Sequence, residues 1–119
     1  MSELDQVFQV VASYFSLLSE PMRLQIMHAI CEKEKSVSQI VEELGATQTN
    51  ISRHLNLMHR HGVLARRKEG NQIFYRVSDA SMIEICRSVC NRIAGQMEEK
   101  VPLRRELMRL LPARKSRAA

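Results

Sequence analysis

The sequence predicts a mainly α fold with one small β-hairpin, in the order α-α-α-α-β-β-α. Three observations predict it. Apolar residues recur at helical spacing near both ends of the 119-residue chain. Two short helix patterns in the middle are separated only by Gly45-Ala46-Thr47. Directly after the second, the period changes to that of strands on either side of Glu69-Gly70-Asn71, a tight-turn signal.

Taken in order, Leu4, Phe8, Val11, Phe15 and Leu18 mark one face of a helix over 3–18. Ser19 reads as the N-cap of the next helix, with Glu20 and Pro21 in its first turn. That helix runs to about Cys31 and turns Leu24, Met27 and Cys31 inward, and Glu32-Lys33-Glu34-Lys35 is a connector. Ser36 and Gln39 fit a capping box for a short helix on Val37, Ile40, Val41 and Leu44, which Gly45 ends. Thr47 caps a helix that places Ile51, Leu55 and Met58 inward, and Gly62 closes it. The helix-turn-helix thus spans 36–61. Val63–Lys68 and Gln72–Val77 are the strands of a hairpin in the position of a wing, 63–77, so the architecture is a winged helix-turn-helix. From Ser78 or Asp79 a last long helix, 79–99, carries Ile83, Cys86, Cys90, Ile93 and Met97, a narrow stripe like a helix-pairing seam. Beyond Pro102, Leu103, Leu107, Leu110 and Leu111 make a short helix. One domain is expected over 1–111, with a basic, disordered tail over 112–119.

Charge is distributed unevenly. The formal net charge is +5. Residues 1–46 carry three basic and seven acidic groups, whereas residues 47–76 carry six basic and one acidic. Residues 77–99 are again acidic, with two basic against four acidic groups, and residues 100–119 hold seven basic and one acidic. A basic block between acidic flanks, coinciding with the second helix of the pair and the hairpin, suits a polyanion-facing surface. No apolar run approaches the roughly 18 residues of a membrane span, and the N-terminus lacks the basic start of a signal peptide. Three cysteines without an export signal read as cytoplasmic thiols, not as a disulfide scaffold. With aromatic residues at 4% and no Trp, base stacking on single strands is unsupported.

The block's chemistry suits duplex DNA. Thr47, Gln48, Thr49, Asn50, Ser52, Arg53 and His54 are hydrogen-bonding side chains on the N-terminal and outward parts of their helix. Gln and Asn can pair bidentately with adenine and Arg with guanine in the major groove, and recognition helices use their N-terminal half. Arg66, Arg67, Lys68, Asn71 and Arg76 lie on the hairpin, where they can contact phosphates or a minor groove. A protein-interaction adaptor with an acidic partner is the competing class. Nothing in the chain pairs a nucleophile with a base, forms a Gly-rich phosphate loop or couples two carboxylates, so it is not expected to be an enzyme.

Three stretches carry a resemblance. Leu18-Ser19-Glu20-Pro21-Met22-Arg23-Leu24, Ile51-Ser52-Arg53-His54-Leu55 and Arg67-Lys68-Glu69-Gly70-Asn71-Gln72-Ile73-Phe74-Tyr75-Arg76-Val77 resemble the ArsR/SmtB family of small repressors. The resemblance implies a homodimer paired through the first and last helices. It also implies release from an imperfectly palindromic operator by an inducer. The family's metalloid box, Cys-Val-Cys, reads Ser36-Val37-Ser38 here, and serine is a poor ligand for soft metals. The family's zinc positions on the last helix fall on Asp79, Ser81, Arg92 and Gly95, of which only Asp79 matches.

The inducer is therefore sought among the thiols. Cys86 and Cys90 are one turn apart on the last helix, and Cys31 ends the second. Together they could hold arsenite or another soft metal ion as the ligand, or two of them could respond to reactive sulfur or oxidants. Alternatively Cys86 and Cys90 are small apolar fillers of the seam, and the protein is a repressor without a ligand. In members that sense persulfide, the second-helix cysteine falls on His28, not on Cys31. His28 reads as a packing residue, and His59 and His61 do not share a helical face.

Overall fold

The computed structural model describes residues 2–110. Leu111 and the tail expected over 112–119 lie outside the described residues. The chain forms two compact units that divide between Ala80 and Ser81. The first unit holds α1 (Glu3–Ser16), α2 (Pro21–Ile30), β1 (Lys35–Ser36), α3 (Val37–Leu44), α4 (Gln48–Arg60), β2 (Leu64–Glu69) and β3 (Gln72–Val77). The second is built on α5 (Ala80–Gln96) and α6 (Pro102–Leu110). Among the described residues, no helix is long and apolar enough to cross a membrane.

Local chemistry accounts for most element ends. Ser36 and Gln39 form the expected capping box: the Ser36 hydroxyl accepts from the Gln39 amide at 3.1 Å and the Gln39 side chain accepts from the Ser36 amide at 2.8 Å. Gly45 ends α3 in the left-handed conformation, φ 66°, which costs a residue without Cβ nothing. Thr47 caps α4, its hydroxyl accepting from the Asn50 amide at 3.2 Å. The hairpin closes tightly, with Glu69 opposite Gln72. Gly70 has φ 61° and Asn71 does not turn positive, the pattern of a type II′ turn.

Several expectations need correction. The N-cap of α2 is Glu20, not Ser19: its carboxylate accepts from the Arg23 amide, and Pro21 occupies the first helical position. Lys35 belongs to a strand as well as a connector. It pairs with Tyr75, and Ser36 with Phe74, giving a three-stranded antiparallel sheet in the order β1-β3-β2. In α2 the buried residues are Ile26, Met27, Ala29 and Ile30, while Leu24 and His28 are exposed. The helices at the two ends are also shorter than 3–18 and 79–99.

The core of the first unit is formed by Ile26, Ile30, Ile40, Ile51, Leu55, Met58 and Val63, all fully buried, with Leu64 and Tyr75 nearly so. Each such side chain contributes about 1.5–3 kcal/mol of transfer free energy before the entropy of ordering it is subtracted. Three of them, Ile51, Leu55 and Met58, lie on α4, which is thus anchored along one face. Helix α1 behaves differently. It buries no residue, and its apolar stripe of Leu4, Phe8, Val11 and Phe15 stays exposed, Phe8 at 63%. Its C-terminal half is tied down by polar contacts: the Tyr14 hydroxyl donates to Asp79 at 2.6 Å.

Candidate nucleic-acid interface

The site is built on α4. With Ile51, Leu55 and Met58 buried, its N-terminal turns present the exposed side chains of Gln48, Thr49 and Arg53 and the half-buried ones of Asn50 and Ser52. The Arg53 guanidinium donates to the Asn50 Oδ1 at 2.8 Å, one turn back on the same face. These two polar groups are thereby oriented together. Thr47 is exposed, but its hydroxyl is taken up by the helix cap.

His54 was expected to face outward and does not. It is 3% exposed, on the same side of α4 as the core residues. Its Nδ1 lies 3.4 Å from the Arg23 Nη1, and its Nε2 lies 3.6 Å from the Glu20 carboxylate and 3.4 Å from the Arg53 Nη2. Burial pushes its pKa down, opposed by Glu20 and aided by the Arg53 and Arg23 cations, so the ring is neutral near pH 7.

Strand alternation divides the wing cations between two faces. Arg66 and Lys68 sit opposite Tyr75 and Ile73, on the face that carries buried Leu64 and Tyr75 and meets α4. The Arg66 guanidinium reaches Asn56 of α4 at 3.4 Å. Arg67 and Arg76 point from the opposite face. Arg67 donates through Nε to both Glu34 oxygens, at 2.9 and 3.0 Å, and through Nη2 to Glu34 again. It also pairs with Glu69 and lies 4.5 Å over the Phe74 ring. Its hydrogen bonds to Glu34 and then Glu69 keep it firmly charged. Arg76 lines a 260 Å³ cleft with Ile30, Cys31 and Glu34. The four wing cations therefore divide by face: Arg66 and Lys68 share the side of α4, Arg67 and Arg76 lie on the opposite one, and Asn71 is exposed at the turn.

The three thiols are divided between the two units, Cys31 in the first and Cys86 and Cys90 in the second. All three are half-buried and none is in a disulfide. Cys31 caps the C-terminus of α2, its thiol donating to the His28 carbonyl at 3.3 Å, and Cys86 and Cys90 share α5. Among the described residues, no group of three or more His, Cys, Asp and Glu side chains is placed to hold a metal ion. The Ser36 hydroxyl is engaged in its capping box and is 3% exposed.

Comparison with known proteins agrees with this geometry. Residues 20–65 match the model of the bacterial regulatory protein, arsR family. An uncharacterized HTH-type transcriptional regulator of Methanocaldococcus jannaschii is 34% identical over 83 residues, which cover 69% of this chain and 93% of that protein. The crystal structure of the transcriptional repressor BigR from Xylella fastidiosa superposes with a TM-score of 0.65 at 27% identity, over 76% of this chain and 95% of that one. The fold is also that of a homodimeric winged helix-turn-helix DNA-binding domain from Mycobacterium bovis, with a TM-score of 0.73 at 22% identity, over 82% of this chain and 91% of that one. The chain belongs to the arsR family of bacterial regulatory proteins, and its fold is the winged helix-turn-helix of that family's transcriptional regulators.

Proposed function

We infer that this chain is a homodimeric repressor that reads an imperfectly palindromic operator and leaves it when the thiols of α5 are modified or ligated. The observation that carries the DNA reading is the division of α4: Ile51, Leu55 and Met58 are fully buried while Gln48, Thr49 and Arg53 stand in solvent. A helix fixed by one face presents the other in a defined register, which base reading requires. Arg66, Lys68 and Asn71 flank it as phosphate contacts. The exposed apolar stripe of α1 supports subunit pairing, since so many large apolar side chains on one face mark an interaction surface. Two paired subunits would set half-sites roughly 34 Å apart, or a multiple of that.

Release is assigned to Cys86 and Cys90, one helical turn apart and both half-buried. At that spacing two sulfurs can share one soft ion or be bridged by oxidation or reactive sulfur. A mobility-shift titration of the chain on duplex DNA, with heparin as competitor, tests the DNA reading. Specific retardation that survives heparin is expected. Complete loss to heparin on every duplex would favour an adaptor that binds acidic proteins.

A further inference from the structure

Arg23 joins two helices that the fold otherwise leaves loosely connected. It lies in the first turn of α2, and its guanidinium uses each nitrogen on a different group. Nε donates to the Leu17 carbonyl at 2.8 Å and Nη2 to the Ser16 carbonyl at 2.9 Å, both at the C-terminal end of α1. Nη1 faces the Nδ1 of buried His54 on α4 at 3.4 Å. A planar fork can serve three directions at once, which a lysine ammonium on its flexible stem cannot reproduce.

The chemistry of the ring follows from these partners. Both ring nitrogens face an arginine at 3.4 Å, and arginine only donates; the Glu20 carboxylate beside Nε2 selects that nitrogen for the ring proton and leaves Nδ1 to accept from Arg23. That proton points toward the Glu20 carboxylate, 3.6 Å away. An Nε2 that bears a proton cannot accept from Arg53, whose guanidinium is left to Asn50 and to the solvent side of α4. Glu20, Arg23 and Arg53 are the charged groups that face the ring. Protonation of Nδ1 would set a donor and a positive charge against the Arg23 donor, and Glu20 would offset only part of that repulsion.

We propose that Arg23, acting through neutral His54, is the positioning residue that couples the pairing helix α1 to the recognition helix α4. Formation of the subunit interface and operator affinity are then linked through one guanidinium. The inference rests on the DNA-reading dimer above. Because α1 buries no residue of its own, this polar tie and the Tyr14–Asp79 bond do the work that packing does for α2, α3 and α4.

The test uses duplexes selected from a random library by the full-length wild-type chain. Arg23→Lys is expected to stay folded and dimeric, with only a small fall in melting temperature, while binding the selected duplex about tenfold more weakly, the loss of one charge-assisted contact. His54→Leu should lose a similar factor, and the double variant should be no weaker than either single one. His54→Asn offers an amide oxygen to Arg23 and cannot take up a proton. It should hold wild-type affinity near neutral pH and keep it on acidification below the ordinary histidine range, where wild type weakens. Additive losses in the double variant, or matching pH profiles for wild type and His54→Asn, would overturn the coupling and leave the DNA reading standing. If His54→Leu does not fold, the pH comparison decides alone. Failure of the wild-type chain to select any duplex would overturn both.

Discussion

Arg67 of the wing grips Glu34 of the segment before α3, donating from Nε to both carboxylate oxygens, while Phe74 lies beneath the guanidinium. The pair fastens the sheet to the polar connector on the side away from α4's exposed face. This arrangement separates the cation held in an ion pair from those on the side of α4. Removing Arg66 or Lys68 should lower the slope of log affinity against log salt by about 0.9, one phosphate contact each. Arg67→Ala should leave that slope unchanged and show instead as a lower melting temperature. A slope that falls by one in Arg67→Ala would return Arg67 to the DNA surface.

The same pair makes a pH prediction. The hydrogen bond from Arg67 is the main reason the Glu34 carboxyl sits below the ordinary carboxylate range, with the Arg67 and Arg76 charges assisting against partial desolvation. As pH falls the unfolded chain takes up this proton first. The stabilisation is therefore complete above the ordinary carboxylate pKa and is lost as pH falls through the lower folded value. Glu34→Gln should flatten that part of an acid-unfolding curve. Both partners are partly exposed, so added salt should shrink the difference between wild type and variant.

Much of this was legible because short-range chemistry set it. The Ser36/Gln39 capping box, the Thr47 cap, the Gly45 stop and the Gly70 turn each depend on residues at most three apart. The two-residue strand at Lys35–Ser36 was not legible, since it exists only by pairing with Phe74 and Tyr75 about forty positions later. His54 is different, because its signal was present and outweighed by residue type. Ile51, His54, Leu55 and Met58 fall at i, i+3, i+4 and i+7, a complete inward stripe. The wing cations required the hairpin register: once Arg66 lies opposite Tyr75, period two sends Arg67 to the other face.

Base reading by α4 predicts a specific pattern of loss. Gln48→Ala or Arg53→Ala should weaken the selected duplex by about 1–3 kcal/mol and relax base preference at one position per half-site. Binding to random duplex should hardly change. Equal losses on selected and random DNA would reduce these residues to backbone contacts. Asn50→Ala carries a further expectation, because it frees the Arg53 guanidinium from its 2.8 Å partner: base preference at the Arg53 position should blur as well.

Subunit pairing through α1 predicts that Phe8→Glu yields a monomer. The side chain is 63% exposed in the single chain, so a charge there costs little within the protomer and is expensive only in an apolar interface. Sedimentation should show half the wild-type mass with a nearly unchanged melting transition for the first unit. Operator affinity should fall with it, since a monomer holds one half-site. A dimer that survives both Phe8→Glu and Val11→Glu would move the pairing surface off α1.

Thiol release is the sharpest test of the regulatory reading. Cys86 and Cys90 lie one turn apart on α5, while Cys31 caps α2 and its thiol is bound to the His28 carbonyl. Arsenite, zinc and a persulfide donor, applied one at a time to the DNA complex, separate a soft-ion site from redox or sulfur chemistry. The effective reagent should weaken wild-type affinity by a factor on the order of 5–150, the usual span of coupling between two sites. Cys86→Ser with Cys90→Ser should stay bound under that reagent, and Cys31→Ser should respond like wild type. Serine keeps the size of the side chain and removes the soft donor, so a filler role in the seam would survive the change while sensing would not. If the double variant is released as readily as wild type, the α5 thiols are packing residues and the repressor takes its signal elsewhere.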